Sequence, residues 1–188
     1  MKNIFFLILI TINIYSYEAF ISAKDLKNVL DDRSLVVLDV SSSYEKSHIV
    51  GAQSIDVDML TDEDNQLIEQ KRLQEIFRGL GISSNSNVVI YGRGTKKDLQ
   101  DAAFLAYLFV LNGFEDVSIL DGGYMAWVFK YDFFTTIEEF KPYDGTLTLK
   151  AKDLTVDFNG VKNNTESVII DARYPQKYYG IAEDEDDK

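Results

Sequence analysis

Apolar positions in this chain fall into short continuous runs separated by stretches of helical spacing. Leu35-Val36-Val37-Leu38 is one run and Val88-Val89-Ile90-Tyr91 is another. Runs of that length, rich in β-branched residues, suit strands buried on both faces. Val117 to Leu120 predicts a third strand, and Ser54 to Val57 a shorter one. Between the runs the spacing changes. Leu26, Val29 and Leu30 share one face of a short helix over Ser22 to Leu30, with Ser22 as its N-cap. Leu73, Ile76, Phe77 and Leu80 follow the i, i+3, i+4, i+7 pattern, and Gly79 and Gly81 supply a stop. Asp98 to Asn112 is apolar almost all round from Ala102 to Leu111, which predicts a heavily buried helix ended by Asn112-Gly113. Strands alternating with helices predict an α/β fold, a mostly parallel sheet flanked by helices.

In such a sheet, chemistry belongs to loops at the carboxyl ends of strands. The loop after Tyr91 reads Gly92-Arg93-Gly94-Thr95-Lys96-Lys97 and leads into the long helix. Two glycines, three cations and a helix N-terminus are the parts of an anion cradle. The same three charges also fit ordinary loop solubility. Thr95 lacks a nearby base, so a role as N-cap of the helix suits it better than one as nucleophile. A lone histidine such as His48 fits a hydrogen-bonded packing role better than that of a base. Asp39 and Asp171 each end an apolar run and suit loop orientation.

Composition narrows the chemistry. The chain has 188 residues, of which 46% are hydrophobic, enough for a packed core. Its formal net charge of -12 makes nucleic acid a poor partner. With no cysteine and one histidine, it has no thiol nucleophile, no thiolate metal site and no multi-histidine metal site. No cofactor is implied. Lys2 followed by the apolar stretch Ile4 to Tyr15 predicts a secretory signal over residues 1–16, with an uncleaved anchor or a core element as the alternatives. Export to the periplasm or outside the cell is therefore expected, with no membrane attachment once the signal is cleaved.

The chain then starts again. Ala23-Lys24-Asp25-Leu26 recurs as Ala151-Lys152-Asp153-Leu154, an offset of 128. The apolar run ending at Asp39 recurs as Val168-Ile169-Ile170-Asp171, an offset of 132. Two ordered matches at nearly one offset point to a repeated domain whose second copy, 150–188, is incomplete. Residues 131–149 mix aromatics and charge without a period. They read as a connector lying over the first domain, because their aromatics need burial.

Val36 to Val40, His48-Ile49-Val50-Gly51-Ala52, Val88 to Tyr91, and Asp121-Gly122-Gly123 leading to Trp127 stand in the order that resembles the rhodanese family, specifically its tandem-domain thiosulfate sulfurtransferases. The resemblance covers about residues 22–130. It implies a first, non-catalytic rhodanese-like domain over 17–130 and the start of a second. It also implies a small sulfur-containing anion such as thiosulfate as substrate of an intact parent. In the family, a cysteine in the second domain's loop carries the sulfur as a persulfide. Here Gly92 stands at the matching position of the first loop, so Gly92 to Lys97 would be a vestigial active-site loop. Arg173 and Lys177 match basic positions that approach the substrate from the second domain. A non-catalytic binding or scaffold module is the second reading. The oligomeric state is open.

Overall fold

The structure, a computed structural model, describes residues 18–173 and 175–181. The expected signal over residues 1–16 lies outside the described residues, as does the acidic stretch from Ala182. The chain divides into two compact units, residues 1–153 and 154–188.

The first unit is built from β1 (Phe20–Ile21), α1 (Ala23–Val29), β2 (Leu35–Asp39), β3 (His48–Ile49), β4 (Gln53–Ser54), α2 (Gln70–Gly79), β5 (Asn87–Tyr91), α3 (Lys96–Leu111) and β6 (Val117–Leu120). A short α4 (Gly123–Met125) then runs into a π-helical turn, Ala126–Lys130, ahead of β7 (Thr135–Thr136). Five strands form one sheet in the order β1-β6-β5-β2-β4, every pair parallel. β3 and β7 pair separately and antiparallel.

Side chains alternate across the strands, so each central strand feeds two cores. Val36, Leu38, Val88 and Ile90 face Leu73 and Phe77 of α2 and Leu105, Leu108 and Phe109 of α3. Val37, Val89 and Tyr91 face the other way, against Ala23 and Leu26 of α1 and against Tyr124 and Trp127. The predicted helices and central strands are all present. The short strand expected over Ser54 to Val57 is displaced to Gln53–Ser54, because Val57–Leu60 instead winds into a 3-10 turn capped by Asp56.

The connector, 131–149, lies along the first unit, and its aromatics divide. Tyr131 and Phe133 pack against the cluster around Trp127, the Phe133 ring 4.9 Å from that of Trp127. Phe134, Phe140 and Tyr143 are largely exposed, with Tyr143 at 97%, whereas Leu147 and Leu149 are buried. Hydrogen bonds to its backbone fix it: Gly145 N–H donates to the Arg78 carbonyl at 2.7 Å, and the Arg78 side-chain Nε–H donates to the Leu147 carbonyl at 2.7 Å. Further along, Lys150 and Lys152 N–H donate to the carbonyls of Asn112 and Leu111. These bonds satisfy carbonyls that the C-terminus of α3 would otherwise leave open. Ala151 to Leu154 forms no counterpart of α1.

In the second unit, α5 (Phe158–Asn163) is capped by Asp157, whose Oδ1 accepts from Gly160 N–H at 2.7 Å, and α6 is Pro175–Tyr178. The run Val168 to Ile170, expected as a strand, is in none, and all three residues are exposed. A strand needs a neighbour to take its backbone groups, and this run pairs with none among the described residues.

The connector's anchoring gives a direct test. Leu147→Ala should cost about 2–5 kcal/mol, the price of a buried leucine. Tyr143→Ala should stay within about 0.5 kcal/mol. Urea denaturation of the two variants separates anchoring by Leu147 from anchoring by the exposed aromatics; equal losses would contradict it.

Candidate functional site

Register puts the ends of the parallel strands side by side. Asp39 pairs with Tyr91 and with Ser54, and Ile90 with Ile119. The loops after β2, β5 and β6 therefore share one edge of the sheet, the edge expected to carry chemistry. At the centre lies Gly92, buried, directly after β5.

Gly92 is hemmed in on two sides. A Cβ built there would collide with Asp98 Cβ and would lie 3.2 Å from its Cγ and 3.3 Å from its Cα. From the other side, the Tyr124 N–H donates to the Gly92 carbonyl at 2.9 Å. A Cβ on Gly123 would strike that carbonyl oxygen, and Gly123 has φ +53°. The Asp121-Gly122-Gly123 turn thus needs glycine at 123 both for its left-handed backbone and for this close approach.

The loop's polar groups turn inward. Thr95 is the N-cap of α3: its Oγ1 accepts from the Asp98 N–H at 3.1 Å. The buried Asp98 carboxylate reaches back, and its Oδ2 accepts from the Arg93 N–H at 2.8 Å. The Arg93 side chain folds across the loop after β2. Its Nε donates to Ser41 Oγ at 3.2 Å, and Nη2 donates to the carbonyls of Ser43, at 3.0 Å, and Ser47. The guanidinium also lies 4.0 Å from the centre of the Tyr124 ring, a cation–π arrangement. The Tyr124 hydroxyl donates to Ser47 Oγ at 2.7 Å, which in turn donates to Thr135 Oγ1 at 2.9 Å. Lys97 is tied to Asp101 at 2.8 Å and to Asp58 at 3.1 Å, and these bonds raise its pKa. Lys96 and Gly94 are exposed.

Beneath the loop, Asp39 is fully buried. Its Oδ1 accepts from the Ser41 N–H at 2.8 Å, while its Oδ2 has no hydrogen-bond partner. Burial pushes its carboxyl up, against the pull of Ser41, Tyr91 and Arg93. Burial also raises the Tyr91 phenol, whose oxygen accepts from the Ile49 N–H at 3.1 Å.

His48 lies in β3 and is fully buried. It stacks on Tyr44 at 3.8 Å, and its two ring nitrogens meet the carbonyls of Tyr44 and Glu138 at 2.9 and 3.1 Å. Neither nitrogen is free to act as a base. Among the described residues, no cluster of three histidines or carboxylates could hold a metal ion. A cavity of about 660 Å³ opens near the amino ends of β2, β5 and β6, over Leu35, Val88 and Val117, and residues 92–97 take no part in its lining.

Of the residues singled out from the sequence, the structure brings Gly92, Arg93 and Thr95 together around Asp98, turns Lys97 aside to Asp58 and Asp101, and leaves Lys96 at the surface. Arg173 and Lys177 belong to the second unit. There Arg173 Nη2 donates to the Asp171 carboxylate at 2.6 Å and holds that acid down at about 2, and Lys177 sits in α6. Sequence reasoning missed Asp98 as part of the loop. Thr95-Lys96-Lys97-Asp98 has the Ser/Thr-x-x-acid spacing of a capping box, a signal that could have found it.

A chain with this fold has relatives among known proteins. The rhodanese-like domain family model matches residues 22–130, more than half of the chain, and the protein belongs to that family. It is 28% identical over 176 residues to the sulfur carrier protein TtuD of Thermus thermophilus, covering 87% of this chain and 60% of that protein. It is 28% identical over 163 residues to a putative thiosulfate sulfurtransferase of Synechococcus elongatus, covering 80% of this chain and 49% of the relative. The chain thus spans about half the length of these relatives. The crystal structure of SseA from Escherichia coli, a 3-mercaptopyruvate sulfotransferase with the rhodanese fold, superposes with a TM-score of 0.67 at 20% identity, covering 77% of this chain and 60% of that one.

Two outcomes test the site. Arg93→Ala should lose about 2–3 kcal/mol in denaturant unfolding, because it strands several acceptors of the 41–47 loop. Arg93→Lys should recover little, since an ammonium cannot reproduce the fork. Asp39 sets a pH dependence. Its folded-state pKa lies above the ordinary 3.8, so between those two values the native state binds more protons than the unfolded chain. Its contribution to stability is greatest at low pH and falls as pH rises through the raised value. Asp39→Asn should remove that fall, so its stability relative to wild type should be better at pH 7 than at pH 4.

Proposed function

We propose that residues 17–130 are the non-catalytic rhodanese-like domain of an exported sulfurtransferase-type protein, in which sulfur is carried by a thiol outside this loop. One observation supports the reading above the others: the position after the central strand, where sulfur-carrying members hold cysteine, is Gly92, and the chain has no cysteine anywhere. Sulfur transfer from thiosulfate needs a thiolate to attack the outer sulfur. A new S–S bond forms as sulfite leaves with the electron pair of the broken one. No side chain of residues 92–97 can take that part. Thr95 spends its hydroxyl on the helix cap, and no base adjoins it.

The substrate class of the parent, on this reading, is a small sulfur-containing anion such as thiosulfate. The names of the sulfurtransferase relatives are what favour it. The recurrence of Ala-Lys-Asp-Leu and of an apolar run ending in aspartate, Asp39 and then Asp171, supports a second rhodanese-like copy beginning near residue 150, with Arg173 and Lys177 among its substrate-approach positions. Export rests on Lys2 and the apolar stretch Ile4 to Tyr15. A scaffold role that uses the fold without any transfer is the other reading, and the missing thiol favours it equally for this chain taken alone.

The purified 188-residue chain, incubated with thiosulfate and cyanide, should form no thiocyanate above background. Its intact mass should show no added sulfur after exposure to thiosulfate or 3-mercaptopyruvate. Turnover by this chain would refute the proposal. Expression of the full reading frame with a C-terminal tag, followed by cell fractionation and N-terminal sequencing, checks export; a cytoplasmic product that keeps Met1 would remove that part.

A further inference from the structure

We infer that Asp98, and not the missing thiol alone, keeps this loop silent: its carboxylate is the loop's resident anion, and its Cβ closes the room that any side chain at position 92 would need. This rests on the reading of residues 92–97 as a silent rhodanese-like loop and goes beyond it, because a cysteine restored at Gly92 would still have no place to sit.

Two independent features carry the inference. The first is electrostatic. The Arg93 N–H is a donor at the mouth of a 16-residue helix, where the helix field favours negative charge. It is already given to Asp98 Oδ2 at 2.8 Å. The carboxylate is buried and attached to the helix itself, so it is present at fixed, high effective concentration. An outside oxyanion would have to displace it.

The second feature is steric. The Cβ of any residue at 92 meets Asp98 Cβ well inside contact distance and lies 3.3 Å from Asp98 Cα. Rotating the Asp98 side chain moves neither atom. Relief requires the first turn of α3 to shift, and the Thr95 hydroxyl pins that turn through the Asp98 N–H. A thiol forced into position 92 would also stand beside a carboxylate, which opposes formation of the thiolate that sulfur chemistry needs.

A double-mutant cycle on the full chain separates this role from that of a mere helix cap. Gly92→Ala should lower Tm by roughly 5–10 °C, several times the shift of an ordinary surface change. Asp98→Gly should lower it less. The double variant Gly92→Ala, Asp98→Gly should melt above Gly92→Ala alone, since the added methyl now has space. If Gly92→Ala does not fold, a folded double variant supports the inference in the same way. A cap without the steric role gives additive losses. A double variant no more stable than Gly92→Ala therefore overturns the steric claim. For the electrostatic claim, sodium sulfate is titrated into ¹⁵N-labelled chains. The Arg93 amide should shift with sulfate in Asp98→Gly and stay still in wild type; an unmoved amide in Asp98→Gly overturns it. Sulfur transfer by the wild-type chain would defeat the proposed function, whereas an additive cycle defeats only this inference.

Discussion

The parallel register of β2 against β5 is the constraint on which the rest of this molecule depends. Asp39 lies opposite Tyr91, and both face cores that exclude water. The polar groups buried with them need partners inside the protein, because a buried donor or acceptor left alone costs about 1–3 kcal/mol. The loop after β2 and the loop after β5 solve that problem for each other. Arg93 supplies donors to Ser41, Ser43 and Ser47, and Tyr124 lies against the guanidinium and donates to Ser47 Oγ. The edge of the sheet that offers a site for chemistry is, in this chain, knitted shut by its own side chains.

That closure changes the meaning of the loop's charges. Three cations beside a helix N-terminus read as an anion cradle when only their order along the chain is known. In three dimensions a cation counts toward a ligand only if no internal partner takes it first. Arg93 is spent on carbonyls and an aromatic face, and Lys97 on Asp58 and Asp101. Even the helix-mouth donor of Arg93 goes to Asp98.

Hydrophobic pattern made the fold legible. Val36 to Leu38 and Val88 to Tyr91 read as buried strands, but α3, apolar almost all round, is buried along one stripe, Ala102, Leu105, Leu108 and Phe109, while Leu99 and Tyr107 on its other side are exposed. Thr95 as N-cap was readable for the same local reason. What the pattern hid was tertiary. The connector's aromatics looked like its anchors, but only Tyr131 and Phe133 pack inward; Leu147, Leu149 and a row of hydrogen bonds hold the rest, and no propensity encodes a carbonyl on a distant helix. Val168 to Ile170 has strand composition without a strand, since composition cannot supply the neighbour that pairing needs. β1 is two residues long and took its place from β6, beyond the reach of any periodicity.

Gly92 shows how a loop of this kind becomes committed. A donor held open for a ligand is an expense in the unliganded state, relieved only by water or by the ligand itself. Once the residue before Arg93 carries no side chain, the start of α3 can approach, and its own carboxylate can satisfy that donor permanently. The approach in turn favours glycine, because a Cβ at 92 would collide with Asp98 Cβ. On the opposite side, the Gly92 carbonyl has accepted the Tyr124 N–H, and that contact requires glycine at 123 as well. Each accommodation removes the space needed to reverse another. A loop closed in this way is held by packing, so placing a nucleophile at position 92 is a problem of the neighbouring helix as much as of one side chain.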